Sequence, residues 1–276
     1  MSKTFVSSRL GIAIAAAGLA SPAFAQFNYP NFSSVAGLTF NGAAAQTGST
    51  VSLTPPTGPL AGSMWYNIPQ NVGPGFVTNF TFRIRDIAGL GADGIVFVIQ
   101  NENLSALGGT GGAIGYATNP NFPSQIGIGN SVAVEFDTFN NGASWPDFGS
   151  DNHVSIQTNG LSANRPEQAF SLASAIPSVN MSDGGIHSVR IVYTPGLMQV
   201  FLDDLVTPII NAPITLTSHM TLSSGNAYVG FTSATGQAWH AERHEILSWD
   251  FTPAIPAPGA ASLLALGGLA AMRRRR

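Results

Sequence analysis

From Gln26 to Phe251 the chain is a succession of short runs rich in Val, Ile, Phe and Thr, each closed by Gly, Pro, Asn or Ser. VTNFTFRIRDI, ADGIVFVIQN, SVAVEFDTF, NHVSIQTN, HSVRIVYTPGLMQVFLDD, AYVGFTSAT and HEILSWDF are the clearest. β-Branched and aromatic side chains suit a pleated, half-buried surface, and Gly and Asn supply the backbone angles that tight turns need. No useful length of helical periodicity, internal repeat or long linker interrupts the series. So many runs on one continuous stretch predict an all-β fold, a single sandwich of antiparallel sheets. A chain of 276 residues can bury a large core in one domain. It holds no cysteine, which excludes disulfides and thiolate metal sites.

The two ends differ from the middle. Lys3 and Arg9 precede the apolar run LGIAIAAAGLA, and Ala23-Phe24-Ala25 closes it with small residues. Residues 1–25 therefore read as a secretory signal, with cleavage expected after Ala25 and export as the consequence. After Phe251 come Pro253, Pro256, Ala257 and Pro258, then GAASLLALGGLAAM and the four arginines Arg273 to Arg276. An ordinary spanning helix needs about 20 apolar residues, so this shorter stretch predicts only transient anchoring, its arginines on the cytoplasmic side. Without these ends, five arginines face 14 acids, a net charge of −9. Such a domain has no electrostatic reason to bind nucleic acid or anionic lipid.

Charge is scarce, 9% of residues, yet four of the 14 acids (Glu135, Asp137, Asp147, Asp151) fall in one short stretch with Asn141 and His153. If SVAVEFDTFNN is a strand, Glu135, Asp137, Phe139 and Asn141 share one face. Val134, Phe136 and Thr138 then point the other way, toward an apolar core. At about 4 Å and an effective dielectric of about 20, a like-charge pair costs roughly 4 kcal/mol, which a bound dication would relieve. Asp137, the Phe139 carbonyl, Asn141 and Asp147 are hard oxygen ligands that suit Ca²⁺. Glu135, Asp137, Asp147 and His153, with waters, suit a borderline ion such as Mn²⁺. Asp137 and Asp147 could bridge the two ions. The alternative is a solvated acidic strand edge followed by a surface loop.

Eight separated motifs carry a family resemblance: FNYPNFSSVAGLTFNGAA, GSMWY, GADGIVFVIQN, ALGGTGGAIGY, VAVEFDTFNN, DNHVSIQTNG, VGFTSATG and HEILSWDF. In this order they resemble the legume-type (L-type) lectins, in particular their bacterial secreted branch, over residues 27–251. The resemblance implies a concanavalin-like jelly roll that binds glycans without catalysis and carries Ca²⁺ with Mn²⁺ or another transition metal. It casts Glu135, Asp137, Asp147 and His153 as transition-metal ligands, with Asp151 the alternative to Asp147. It assigns calcium to Asp137, the Phe139 carbonyl, Asn141 and Asp147.

By the same resemblance Asp93, preceded by a cis peptide in relatives, accepts hydrogen bonds from two adjacent sugar hydroxyls. Asn141 donates its side-chain N–H to the sugar, Gly112 or else Gly111 donates a backbone N–H, and Phe139 offers its ring to the apolar sugar face. The loop Thr235 to Arg243 tunes specificity, with Gln237, Ala238, Trp239 and His240 as candidates. The C-terminal segment resembles the PEP-CTERM sorting tails of Gram-negative bacteria, which an exosortase processes, although Ala257 stands where Glu is usual. The expected organisation is a signal at 1–25, a lectin domain at 26–252 and a sorting tail at 253–276, with the product at the cell surface or in extracellular matrix. Relatives dimerise through sheet edges, so a homodimer is compatible with the resemblance.

Two other functions fit the same sandwich. A glycoside hydrolase needs two carboxyl groups flanking the bond, and in laminarinase-like relatives Glu, Asp and a further Glu lie along one strand. Here the third place is filled by Phe139, Asn140 and Asn141. A structural matrix protein with a vestigial site is the other alternative. His187, His219 and His244 lack carboxylates at ligand spacing and read as structural.

Overall fold

The computed structural model describes residues 26–142, 145, 148–237 and 239–254. The expected signal and sorting segments, Ala238 and the metal candidate Asp147 lie outside the described residues. The first strands are short: β1 (Phe27–Tyr29), β2 (Leu38–Gly42), β3 (Ala45–Thr47), β4 (Thr50–Thr54), β5 (Ala61–Tyr66) and β6 (Gln70–Asn71). The long β7 (Phe76–Ala88) leads to β8 (Gly94–Gln100), β9 (Ser131–Asp137), β10 (His153–Gln157) and β11 (Ser171–Ala175). The series closes with β12 (His187–Thr194), β13 (Leu197–Leu202), β14 (Ile210–Ala212), β15 (Asn226–Ala234) and β16 (Ala241–Pro253).

These strands form two antiparallel sheets. One runs β14-β13-β12-β7-β16-β4-β3, with β1 also paired to β16. The other runs β11-β10-β9-β8-β15-β5-β2, with β6 also paired to β15. The fold is an all-β jelly-roll sandwich.

Between the sheets lies the main core. Phe80, Phe82, Phe97, Phe136, Phe231 and Trp249 are each at most 2% exposed. Phe231 meets Phe80 at 4.8 Å and Trp249 at 4.9 Å between centroids, both in the edge-to-face geometry that aromatic quadrupoles favour. Each such ring contributes roughly 1.5–3 kcal/mol by leaving water.

The second sheet is covered on its outer face as well. Loop residues Ile114, Tyr116, Ala117 and Ile128 pack there against Trp65, Val96, Val98 and Ala133. That explains the unbroken apolar run GIVFVI of β8, in which every residue is buried. Ile95, Phe97 and Ile99 enter the main core while Val96 and Val98 enter the outer cluster.

The same alternation sorts β9. Val132, Val134 and Phe136 point into the main core, so Glu135 and Asp137 point to the opposite face. The strand stops sooner than its composition suggests. β9 ends at Asp137, and Phe139 and Asn141 lie in the following loop rather than on the strand face. The Asp137 carboxylate accepts the Phe139 N–H at 2.7 Å, the local bond by which Asp breaks a ladder and starts a turn. Thr138 corrects a second expectation. It is buried away from the apolar core, with its hydroxyl donating to the Glu242 carboxylate.

Candidate functional site

Register brings the metal candidates together. In the β9–β10 pair His153 lies opposite Asp137 and Ser155 opposite Glu135. Ligand atoms of Glu135, Asp137 and His153 fall within 4.8 Å of one another, and all three residues are at most 3% exposed. His153 Nδ1 faces the Ser150 carbonyl at 3.0 Å, which assigns the ring proton to that nitrogen in the neutral tautomer. Nε2 then turns inward, 3.5 Å from Glu135 Oε1, with no hydrogen-bond partner among the described residues. A backbone carbonyl fixing one imidazole nitrogen while the other faces carboxylates is the arrangement of a metal-ligating histidine. Two carboxylates and an imidazole suit a borderline divalent ion, so the residues present fit the group.

Burial lowers the His153 pKa, but the close approach of the Glu135 carboxylate and the charge of Asp137 outweigh it and hold the pKa at about 9. Burial raises the Glu135 pKa, yet the nearby His153 and the hydrogen bonds from the Ser155 and Tyr116 hydroxyls bring it below the ordinary value. A metal at Nε2 would take the place of the His153 proton.

The acidic cluster does not depend on a cation alone. Glu135 Oε2 accepts the Tyr116 hydroxyl at 2.6 Å, and Oε1 accepts the Ser155 hydroxyl at 2.5 Å and the Gln157 amide at 3.0 Å. These donors share the work that the charge argument gave to a dication. Sequence reasoning missed them, although Ser155 and Gln157 were accessible from NHVSIQTN once His153 is paired with Asp137. Asp151 is exposed and outside this cluster.

Beside the acidic cluster opens a cleft of about 230 Å³ lined by Asp93, Gly111, Gly112, Phe139, Asn141 and Gln237. The Ala92–Asp93 peptide is cis. Asp93 N–H donates to the Ala234 carbonyl and its own carbonyl accepts the Thr138 N–H, both at 3.0 Å, which pins the residue between β15 and the end of β9. Its carboxylate is 2% exposed, and Oδ2 has no hydrogen-bond partner among the described residues. Burial, then the charge of Glu242, pushes its pKa well above the ordinary carboxylate range. An unsatisfied buried carboxylate oxygen facing a cleft is an acceptor awaiting a donor.

Gly112 lies directly against Asn141. A Cβ on Gly112 would sit 2.3 Å from Asn141 Nδ2, so only glycine lets the amide occupy this place. Gly111 spends its N–H on the Thr235 carbonyl at 3.1 Å, which leaves Gly112 the stronger candidate donor of the two. Phe139 faces His240 with centroids 5.5 Å apart. Trp239 is 63% exposed and does not line the cleft, whereas His240 does. Trp145, Asn121 and Phe122 also line it, and nothing in the motif reading had singled them out.

Two histidines differ from expectation. His187 Nδ1 lies 2.9 Å from Asp203, with Asp183 3.3 Å from Nε2. His244 Nε2 faces Glu242 at 3.4 Å. Asp203 comes from a distant loop, whereas Asp183 and Glu242 stand only four and two residues before their histidines, so the expectation that these histidines lack carboxylate neighbours is corrected.

The fold is a two-sheet jelly roll with a loop cleft beside a buried acid–histidine cluster, and comparison with known proteins gives its class. The family model of the legume lectin domain matches residues 24–263. A lectin from Bauhinia forficata is 29% identical over 82% of this chain and 94% of its own length. The crystal structure of basic winged bean lectin with Tn-antigen superposes with a TM-score of 0.68 at 28% identity, covering 85% of this chain and all of that one. Lectin I-B4 from Griffonia simplicifolia, in its metal-free form, gives 0.67 at 25% identity, covering 83% of this chain and 98% of that one. The chain belongs to the legume lectin family and is a legume-lectin-like carbohydrate-binding protein.

Proposed function

We propose that this protein is an exported, calcium-dependent lectin. The observation that carries the reading is convergence: Asp93, Gly112, and Phe139 with Asn141, from three loops, line one cleft next to the Glu135, Asp137 and His153 cluster. Asp93 and the Gly112 N–H supply acceptor and donor, Asn141 adds an amide, and Phe139 offers an apolar surface. That is the mixture by which a concave site holds a polyhydroxylated ring. Calcium would be held by Asp137, the Phe139 carbonyl, Asn141 and Asp147, and Mn²⁺ or a similar ion by Glu135, Asp137, Asp147 and His153. When bound, the ions fix the loop that presents Phe139 and Asn141. The signal-like residues 1–25 and the PEP-CTERM-like tail support export to the surface of a Gram-negative type of bacterium, with exosortase-like processing.

The experiment is a glycan array probed with the full protein in calcium buffer. Selective retention of a related set of glycans is the expected result. A blank array with a folded, calcium-loaded protein would remove the proposal.

A further inference from the structure

We infer that Phe122 is the floor of a second sugar subsite, so that the cleft takes a glycan of two or more residues rather than a single terminal sugar. The inference rests on the lectin reading and extends it. Phe122 lines the same cleft as Asp93 and Asn141 but is half exposed, at 50%, and belongs to neither hydrophobic cluster. A large ring that lines the cleft without anchoring the fold leaves an apolar face for a ligand to cover.

Its loop is built to hold it still. Asn119 N–H donates to the Gln125 carbonyl at 3.1 Å, and Gln125 N–H donates to the Phe122 carbonyl at 2.8 Å, which closes the segment on itself. Asn119 Oδ1 accepts the N–H groups of Asn121 at 2.9 Å and Phe122 at 3.2 Å. Pro120 and Pro123 restrict the residues beside them.

The closed loop is clamped in turn to the glycine loop. Asn119 Nδ2 donates to the Thr110 carbonyl at 2.9 Å, while Gln125 Oε1 accepts the Thr110 N–H at 2.9 Å and its hydroxyl at 3.1 Å. Thr110 precedes Gly111 and Gly112, so the aromatic ring and the sugar-facing glycines are held by one hydrogen-bonded unit. An aromatic surface ordered before binding loses little entropy when it is covered. With Asp93, Gly112 and Asn141 gripping one pyranose, the next residue of the glycan would lay its C–H face on Phe122.

The test compares two probes by titration calorimetry: the best-bound disaccharide of the array and the methyl glycoside of its terminal residue. For a galactose-terminated glycan these are lactose and methyl β-galactoside. Wild-type protein should prefer the disaccharide. Phe122→Ala should weaken the disaccharide roughly tenfold and leave the methyl glycoside unchanged, while Phe122→Tyr keeps both affinities. An unchanged disaccharide affinity in Phe122→Ala overturns the inference, as does equal loss for both probes, which would place the ring in the first subsite. A wild type that binds no glycan overturns the lectin reading and this one with it. Phe122 is absent from the core, so Phe122→Ala should melt with the wild type.

Discussion

Asp93→Asn is expected to weaken glycan binding at least a hundredfold while raising the melting temperature of the metal-free protein. The binding loss follows from charge-assisted hydrogen bonds, each worth about 1.5–3 kcal/mol, two of which a sugar would make to this carboxylate. Every 1.4 kcal/mol is tenfold in affinity. The stability gain follows from the same residue's isolation. Its carboxylate is buried, Oδ2 has no partner among the described residues, and burial and Glu242 raise its pKa.

A folded-state pKa above the unfolded value means that the native state binds the proton more tightly. The penalty is absent below the unfolded pKa of about 3.9, grows as pH rises, and is complete above the folded pKa. The neutral amide never carries it. Melting curves in chelator at pH 4 and pH 8 should therefore show the variant gaining on the wild type as pH rises. A variant that is less stable at pH 8, or that still binds the array-selected glycan, would show that Asp93 has been misread.

Glu242→Ala should cost roughly 2–4 kcal/mol of stability. Glu242 is fully buried, in the register shift of the β16–β7 pair between Ala241 and Arg243. Its carboxylate accepts the Thr138 hydroxyl on one oxygen and the Ser182 hydroxyl at 3.0 Å on the other, and His244 faces it at 3.4 Å. His244 Nδ1 continues the chain to Thr54 at 2.7 Å, and Thr54 to Ser233 at 3.2 Å. Removing the carboxylate strands the buried Thr138 hydroxyl, at about 1–3 kcal/mol, and takes an acceptor from the half-buried Ser182 at a smaller cost, although relief of the Asp93 repulsion returns a part. For a domain of this size the melting temperature should fall by roughly 4–16 °C. Glu242→Gln, which keeps an acceptor in place, should lose much less. Urea unfolding decides the matter: a Glu242→Ala midpoint equal to the wild type would mean that the network holds nothing.

The division between what was readable and what was not has a physical origin. Alternation along β9 is local, so the inward Val134 and Phe136 and the opposed Glu135 and Asp137 could be assigned from spacing alone. The end of β9 depends on one side-chain bond, from Phe139 N–H to Asp137, which composition cannot distinguish from two more strand residues. The donors around Glu135 and the partners of Glu242 come from strands and loops distant in sequence, and pairing register decides them. Phe122 sits in a Pro- and Asn-rich stretch that reads as an ordinary turn until the Thr110 clamp places it at the cleft. The very short strands, such as β6 with two residues, carry too little pattern to be read at all.

In the proposed lectin a divalent cation organises the cleft in which Asp93 and Asn141 grip a sugar. The most direct measurement is the affinity of the full protein for its array-selected glycan after exhaustive chelation and again after adding Ca²⁺. Binding should disappear with the metal and return with calcium; an unchanged affinity in the metal-free protein would show that no cation shapes the cleft.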